Sequence, residues 1–313
     1  MSASAPPARD ERQRPGARVV RPAHRTPLLR VPALDAWIGA EVSLKLESEQ
    51  IGGSFKWRGV VPRVQTLGPE ARHRGLVCVS GGNFGQALAI AAQDAGLALD
   101  VHVPSSAEAR RLEAIRAAGA TVHVHDTVEA AFDGADRHAR SSGALLVDDL
   151  DDPVIAQGYG SLLAELLDQA PLTRRVILAA GGGLLAAGLC RAMAALGVRL
   201  QLDLAEPEGA PTVHAALAAA MPVTVAVRTA VATLGVPRIG SGVLSTLMTA
   251  GRGGVRSWLV TDAEAMEAQR AAQACAGLSI DLAAGCSLAL MRRLAGAGED
   301  LSHICVLVCG RGA

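Results

Sequence analysis

Lysine is nearly missing from this 313-residue chain: only two of its 30 basic residues are lysine, Lys45 and Lys56, and the rest are arginine. Aromatic residues are also scarce, at 2%, although half of all residues are apolar. Such a core must be built from Ala, Val and Leu, as in helices packed on a buried parallel sheet. The 30 basic and 30 acidic residues cancel. That balance removes any electrostatic reason to expect nucleic acid or an anionic membrane as a partner. Six cysteines stand at 78, 190, 275, 286, 305 and 309 with no CxxC pair. This favours reduced thiols in the cytoplasm over a disulfide framework or a zinc site. The longest weakly polar stretch, Val176 to Cys190, is shorter than the about 20 residues of a membrane helix, and three consecutive glycines interrupt it. Residues 1–23 lack the apolar segment of a signal peptide and read as a disordered tail.

Where arginine serves as the general cation, a retained lysine points to work that a guanidinium cannot do. An ε-amine can lose its proton and form a Schiff base. Lys56 lies in Gly52-Gly53-Ser54-Phe55-Lys56-Trp57-Arg58-Gly59, after a glycine turn and at the start of a predicted helix. Lys45 lies in Val42-Ser43-Leu44-Lys45-Leu46-Glu47. The alternation there predicts a strand with Lys45 on its wet face.

From Glu41 onward, β-branched runs alternate with Ala-rich stretches of helical spacing. The predicted strands are 42–47, 76–80, 99–103, 121–125, 144–147, 175–180, 200–205, 257–260 and 304–309. Helical patterns fall between them, over 86–95, 107–118, 127–141 and 154–169. This order predicts an α/β fold of open, mostly parallel sheets with helices on both faces. In such folds ligands bind where a strand's carboxyl end leads into a helix. Two glycine-rich loops occupy that position. The acidic run Asp148-Asp149-Leu150-Asp151-Asp152-Pro153 reads as a connector between two lobes.

The later loop, Gly181-Gly182-Gly183-Leu184, reads either as a tight strand-to-helix turn or as a phosphate cradle of backbone N–H groups. Its spacing matches neither a P-loop nor a dinucleotide fingerprint. The earlier loop, Ser80-Gly81-Gly82-Asn83, reads as a helix cap or as a nest for a carboxylate with an amide beside it. A Schiff-base lysine, a phosphate cradle and an amide nest together suggest pyridoxal 5′-phosphate, an aldehyde carrying one phosphate.

The chain resembles the fold-type II pyridoxal-phosphate enzymes, in the branch of threonine/serine dehydratases and serine racemase. The resemblance covers Thr26 to Gly310. Its markers are Thr26-Pro27-Leu28, Leu44-Lys45-Leu46-Glu47, Gly53-Ser54-Phe55-Lys56-Trp57-Arg58-Gly59 and Ser80-Gly81-Gly82-Asn83. They continue with Asp152-Pro153-Val154-Ile155-Ala156-Gln157-Gly158, Gly181-Gly182-Gly183-Leu184 and Glu206-Pro207. The resemblance implies a two-lobed fold like the tryptophan synthase β-chain. It implies that Lys56 holds the cofactor as a Schiff base and acts as the base at Cα. Phe55 would pack beside the ring, Asn83 would bond its 3′-oxygen, and Gly181, Gly182, Gly183 and Leu184 would cradle the phosphate. Ser80, Gly81 and Gly82 would receive the substrate carboxylate. Cys309 falls where relatives place a Ser, Thr or Cys facing the pyridine nitrogen; the lesser alternative is an inert buried thiol at a strand end. A neutral group at that nitrogen favours loss of a β-substituent over transamination.

Departures from the pattern refine this expectation. Racemase-type relatives carry a serine where this chain has Gly81, which has no proton to offer, so dehydration is preferred to racemization. Phe84 stands where many relatives have histidine. Thr212 replaces an acid at a divalent-cation site near Glu206 and Ala210, and His123 and His125 read as surface histidines, so no metal is expected. Asp281-Leu282 replaces a Glu-Pro pair, Gly310-Arg311-Gly312 replaces Gly-Gly-Asn, and Tyr159 replaces a threonine. These changes leave the substrate open. Arg58, Arg228 and Arg238 read as surface charges. The expected protein is a cytoplasmic, homodimeric lyase that removes water from L-serine, L-threonine or a related β-hydroxy amino acid. A large domain (24–69 and 149–313) would carry a small mobile domain (70–148). The alternatives are a β-replacement enzyme working through the same dehydrated intermediate, and a protein of this fold that has lost turnover.

Overall fold

The computed structural model of the protein describes residues 19–251 and 253–312. Of the tail expected over 1–23, residues 1–18 lie outside the described residues. The end of that segment departs from the expectation. Val20 is buried, and the Arg21 guanidinium holds Asp94 at 2.8 and 3.0 Å.

Ten strands occur among the described residues, numbered along the chain. They begin with β1 (Leu28–Leu29), β2 (Ser43–Leu46), β3 (Leu76–Val79), β4 (Leu99–Pro104) and β5 (Thr121–His125). After these come β6 (Leu145–Leu146), β7 (Arg175–Ala179), β8 (Gln201–Pro207), β9 (Val255–Val260) and β10 (Ile304–Val308). They form two sheets, of order β1-β2-β10-β7-β8-β9 and β5-β4-β3-β6. Every pairing of these strands is parallel except β1 with β2. The alternation in the sequence therefore predicts the fold class correctly. It misses β1, because two residues cannot display a period.

The helices are α1 (Pro32–Ile38), α2 (Lys56–Gln65), α3 (Pro69–Arg74), α4 (Asn83–Ala95), α5 (Ala109–Ala117) and α6 (Val128–Ser142). The rest are α7 (Pro153–Gln169), α8 (Leu184–Leu196), α9 (Thr212–Ala219), α10 (Ser241–Ala250), α11 (Asp262–Ala276) and α12 (Leu282–Gly296). With so few aromatics, the core depends on small side chains and close helix crossings. Where α2 crosses α7, a Cβ on Gly59 would fall 2.7 Å from Tyr159 Cε1, and one on Gly158 would fall 2.7 Å from Pro62 Cγ. Neither position can hold an alanine without the helices separating.

Two side chains expected on the surface are buried. Lys45 is 0% exposed; its Nζ donates to the Thr26 carbonyl at 2.9 Å, to Gln169 Oε1 at 2.7 Å and to the Glu165 carboxylate. Arg58 donates Nε to Glu47 Oε2 at 2.7 Å and Nη2 to Glu47 Oε1 at 2.8 Å, and Nη2 lies 3.0 Å from Glu165 Oε2. Two cations and two carboxylates thus compensate one another inside, as buried charges must. The alternation along β2 does put Lys45 on one face, but α7 covers that face. Arg228 and Arg238 are exposed, as expected.

The acidic run is more than a connector. Asp152 caps α7 by accepting from Val154 and Ile155 N–H at 2.8 and 3.1 Å. Asp151 accepts from Gly242 and Val243 N–H, both at 2.9 Å, in the first turn of α10. Asp149 turns toward Lys56.

Candidate active site

Lys56 is the first residue of α2, and its position is set by the backbone before it. Gly52 and Gly53 adopt φ of +74° and +73°, a region that side chains disfavour. They reverse the chain so that Ser54 runs extended and Phe55 starts the helix. The Phe55 N–H donates to the Cys309 carbonyl at 3.2 Å, and the Arg311 N–H donates to the Gly53 carbonyl at 2.9 Å. These bonds tie the lysine turn to the carboxyl end of β10. The Lys56 amine pairs with Asp149 and lies 4.9 Å from the Phe55 ring centroid. Phe55 meets Tyr159 edge-on, with ring centroids 5.0 Å apart. Unlike Lys45, the Lys56 side chain is partly open to solvent.

The glycine turn after β7 leads into α8. The N–H groups of Gly181, Gly182 and Gly183 donate to nothing among the described residues. Gly183 has φ of +79°, and a Cβ there would come within 3.2 Å of both Val213 and Val243. A Cβ on Gly182 would touch Leu150 Cδ2 at 3.5 Å, the residue beside Asp149. The turn and Lys56 therefore converge through the 149–150 loop.

The loop after β3 is organised by its own serine. Ser80 Oγ accepts from Gly82 N–H at 3.3 Å and from Gly85 N–H at 3.1 Å, which caps the start of α4. Asn83 is held at both ends of its amide: Oδ1 accepts from Arg111 at 2.5 Å, and Nδ2 donates to Asp281 Oδ2 at 3.2 Å. One Nδ2 hydrogen remains to donate elsewhere. Asp281 also accepts from Ala284 N–H at 2.9 Å and so caps α12. Burial pushes its carboxyl above the usual range. Gly310 allows this approach, since a Cβ there would lie 2.8 Å from Asn83 Nδ2. A cavity of about 430 Å³ shares Asn83 with this group and is lined by Gln50, Gln86, Arg110, Arg111 and Arg311, although Lys56 does not line it.

Cys309 follows β10 directly and is buried, and burial pushes its thiol up to about 12. It is therefore a neutral, protonated group. Ser54 Oγ and Tyr159 Oη are buried with no hydrogen-bond partner among the described residues. A partly open amine with one partner, unpaired N–H groups at a helix start, a neutral thiol and orphaned hydroxyls together fit a phosphorylated aldehyde cofactor.

Glu206, beside which the resemblance implies a cation in relatives, is engaged by the protein's own donors. Glu206 accepts from Val213 N–H at 2.7 Å, His214 N–H at 2.8 Å and Ser257 Oγ at 2.6 Å, while the Thr212 hydroxyl donates to the Val236 carbonyl. Burial raises the Glu206 carboxyl to about 7.

The chain thus gathers Phe55, Lys56, Asn83, Gly182 and Cys309 into one linked group, with Ser80, Gly81 and Gly82 leading into Asn83 along the chain. Reasoning from residues missed Asp149, Arg111 and the hydrogen-bonding position of Asp281. Asp149 follows β6, which lies beside β3 in the small sheet. The strand-end rule applied to that short strand would have found it.

Comparison with known proteins places nearly the whole chain beside a family. The family model described as "Pyridoxal-phosphate dependent enzyme" matches residues 20–310. The L-serine dehydratase/L-threonine deaminase of Bos taurus is 32% identical over 93% of this chain and 92% of its own length. The L-threonine ammonia-lyase of Thermotoga maritima is 32% identical over 62% of this chain, and the match spans about half of that protein, 49%. Among solved structures, maize serine racemase superposes with a TM-score of 0.85 at 25% identity, covering 93% of this chain and 89% of that one.

Proposed function

This chain belongs to the pyridoxal-phosphate dependent enzymes, and on that premise we propose that it is an ammonia-lyase. It converts L-serine, L-threonine or a related β-hydroxy amino acid to a 2-oxo acid and ammonia. Pyridoxal 5′-phosphate, when bound, supplies an electron-accepting ring that acidifies the substrate's α-hydrogen. Lys56 would hold the cofactor's aldehyde carbon, and its amine would take the substrate's α-proton. Asp149 would keep that amine oriented and exchange its proton. The N–H groups of Gly181, Gly182, Gly183 and Leu184 would hold the phosphate at the positive end of α8. Asn83 would offer its remaining hydrogen to the cofactor's 3′-oxygen. Ser80, Gly81 and Gly82 would receive the substrate carboxylate. The protonated Cys309 thiol would offer the ring a neutral partner, which favours loss of the β-hydroxyl.

The observation that carries this reading is the Lys56 amine, partly open and held by one carboxylate, with a glycine turn of unpaired N–H groups linked to it through residues 149 and 150. Racemization is disfavoured: Gly81 has no hydroxyl, and a Cβ there would fall 2.8 Å from the Ala107 methyl. Residues 70–148 carry the small sheet and close on the substrate carboxylate, which excludes water from the reaction. The remainder, 24–69 and 149–313, forms the large domain. The reading includes a homodimer in the cytoplasm, and all six cysteines are free, as a reducing compartment requires.

Purified protein loaded with the cofactor is expected to release ammonia and 2-oxo acid from at least one of L-serine, L-threonine and 3-hydroxyaspartate, with no added nucleophile. Product formed only after a second nucleophile is added would assign it to β-replacement. A yellow protein inert toward the whole panel would overturn the enzymatic reading.

A further inference from the structure

On the small sheet, four histidines from two strands and one helix meet in a single layer. His102 on β4 and His123 on β5 are direct partners in the parallel register. His125 lies two residues further along β5, on the same face. His138 reaches them from α6. One ring nitrogen from each of His102, His123 and His138 lies within 4.8 Å of the other two. His102 Nε2 is 3.2 Å from His138 Nδ1. A tetrahedral zinc ion with bonds of about 2.0–2.1 Å holds two ligand nitrogens roughly 3.3 Å apart.

We propose that His102, His123 and His138 form a binding site for a divalent transition-metal ion of the zinc type. Three imidazoles are the donor set that such ions favour over magnesium or calcium, which take oxygen. The surroundings match a supporting shell. Asp100 Oδ1 lies 2.8 Å from His123 Nε2 and orients that ring, and its Oδ2 lies 3.7 Å from His138 Nε2. His102 Nδ1 lies 2.9 Å from His125 Nε2, which fixes the ring of the innermost ligand. His102 is only 4% exposed.

A glycine makes room for the layer. A Cβ on Gly134 of α6 would fall 2.5 Å from His125 Cε1 and 3.0 Å from His102 Nδ1. The helix can rest on the four rings only because that position lacks a side chain.

The site is separate from the Lys56 group. His102 and Val103 are consecutive on β4 and point to opposite faces. Val103 Cγ1 lies 3.5 Å from where a Gly81 Cβ would sit, so the histidines occupy the face turned away from the Ser80–Asn83 loop. A bound ion would clamp β4, β5 and α6 together and stiffen the small sheet without touching substrate.

The test uses the cofactor-loaded protein, dialysed free of metal and titrated with Zn²⁺ by calorimetry. The expected result is one ion per chain and a melting temperature that rises with Zn²⁺ by mass action. His138→Gln and His123→Asn, both at partly exposed positions, should each weaken binding by about 100-fold or more, since losing even a supporting partner costs about 10–100-fold. His73→Gln, on exposed α3, should leave binding unchanged. Co²⁺ should give the visible bands of a tetrahedral site in the wild type and lose them in His138→Gln. Circular dichroism shows whether each variant is folded. Absence of Zn²⁺ binding by the wild type, or equal binding by the folded His138→Gln and His123→Asn proteins, would overturn the proposal.

Discussion

The two lysines of this chain lie eleven residues apart and live in opposite environments. Lys45 is fully enclosed, with three hydrogen-bond acceptors and a neighbouring Arg58–Glu47 pair that closes the charge balance. Lys56 stands at the end of a glycine turn, partly open, with one carboxylate beside it. The first amine has no bond left to make. The second keeps a single partner and partial access to solvent, which the proposed chemistry requires. Enclosure and full coordination make a structural cation; a partly open position with one partner leaves an amine the access that the proposed role needs.

The comparison can be broken most directly at Lys56. Lys56→Ala is expected to abolish turnover and the visible band of the bound cofactor while changing the urea midpoint little, because a partly exposed ion pair contributes only about 0–1 kcal/mol. Retention of that band would break the contrast at once. Lys45→Met should do the reverse. It removes one of the two buried cations beside Glu165, leaving Arg58 alone, and should lower unfolding free energy by about 3 kcal/mol, while the folded fraction keeps its visible band. Chemical denaturation monitored at both the far-ultraviolet and cofactor wavelengths separates the two outcomes.

Asp149→Asn sharpens the comparison on the chemical side. It should lower kcat by about 10-fold or more, toward the lower range of positioned proton transfer, and change the pH profile while the visible band remains. A uniform loss at every pH would reduce Asp149 to a packing contact. The smallest expected effect is a pH dependence of the Lys45 network. Burial acts to raise the Glu165 carboxyl, but the hydrogen bond from Lys45 and the charge of Arg58 hold it below its ordinary value of 4.5. A carboxyl depressed in the folded state contributes stability that is present above 4.5 and lost as pH falls toward the folded value. The wild type should therefore lose stability below that point more steeply than Glu165→Gln, as measured by urea midpoints across the acid range.

How much of this was legible in the residues differs from one element to the next. The β/α alternation is carried by short-range periodicity, so the parallel sheets and nearly all the strands could be read directly. The Gly-Gly-Ser turn before Lys56 and the triple glycine before α8 were legible for a similar reason: both positions need backbone that side chains would obstruct. Lys45 was misread because alternation reports which face a residue takes, and cannot report that α7 covers that face. Arg58 was misread for the same reason, since its partners Glu47 and Glu165 lie 11 and 107 positions away. His123 and His125 read as surface residues because His102 and His138 reach them only through sheet register and helix packing. Asp149 was hidden in a run of acids whose four members face four different directions.

The order of residues alone determined the class of fold and the two glycine turns, and it singled out Lys56 as the amine proposed to react, because each depends on local backbone freedom or on a functional group no other side chain supplies. Tertiary structure decided which charges are enclosed, which carboxylate meets Lys56, how Asn83 is held between Arg111 and Asp281, and that four histidines share one layer. Those outcomes depend on distances between residues far apart in the chain, and such distances exist only once strand register and helix packing have closed the core.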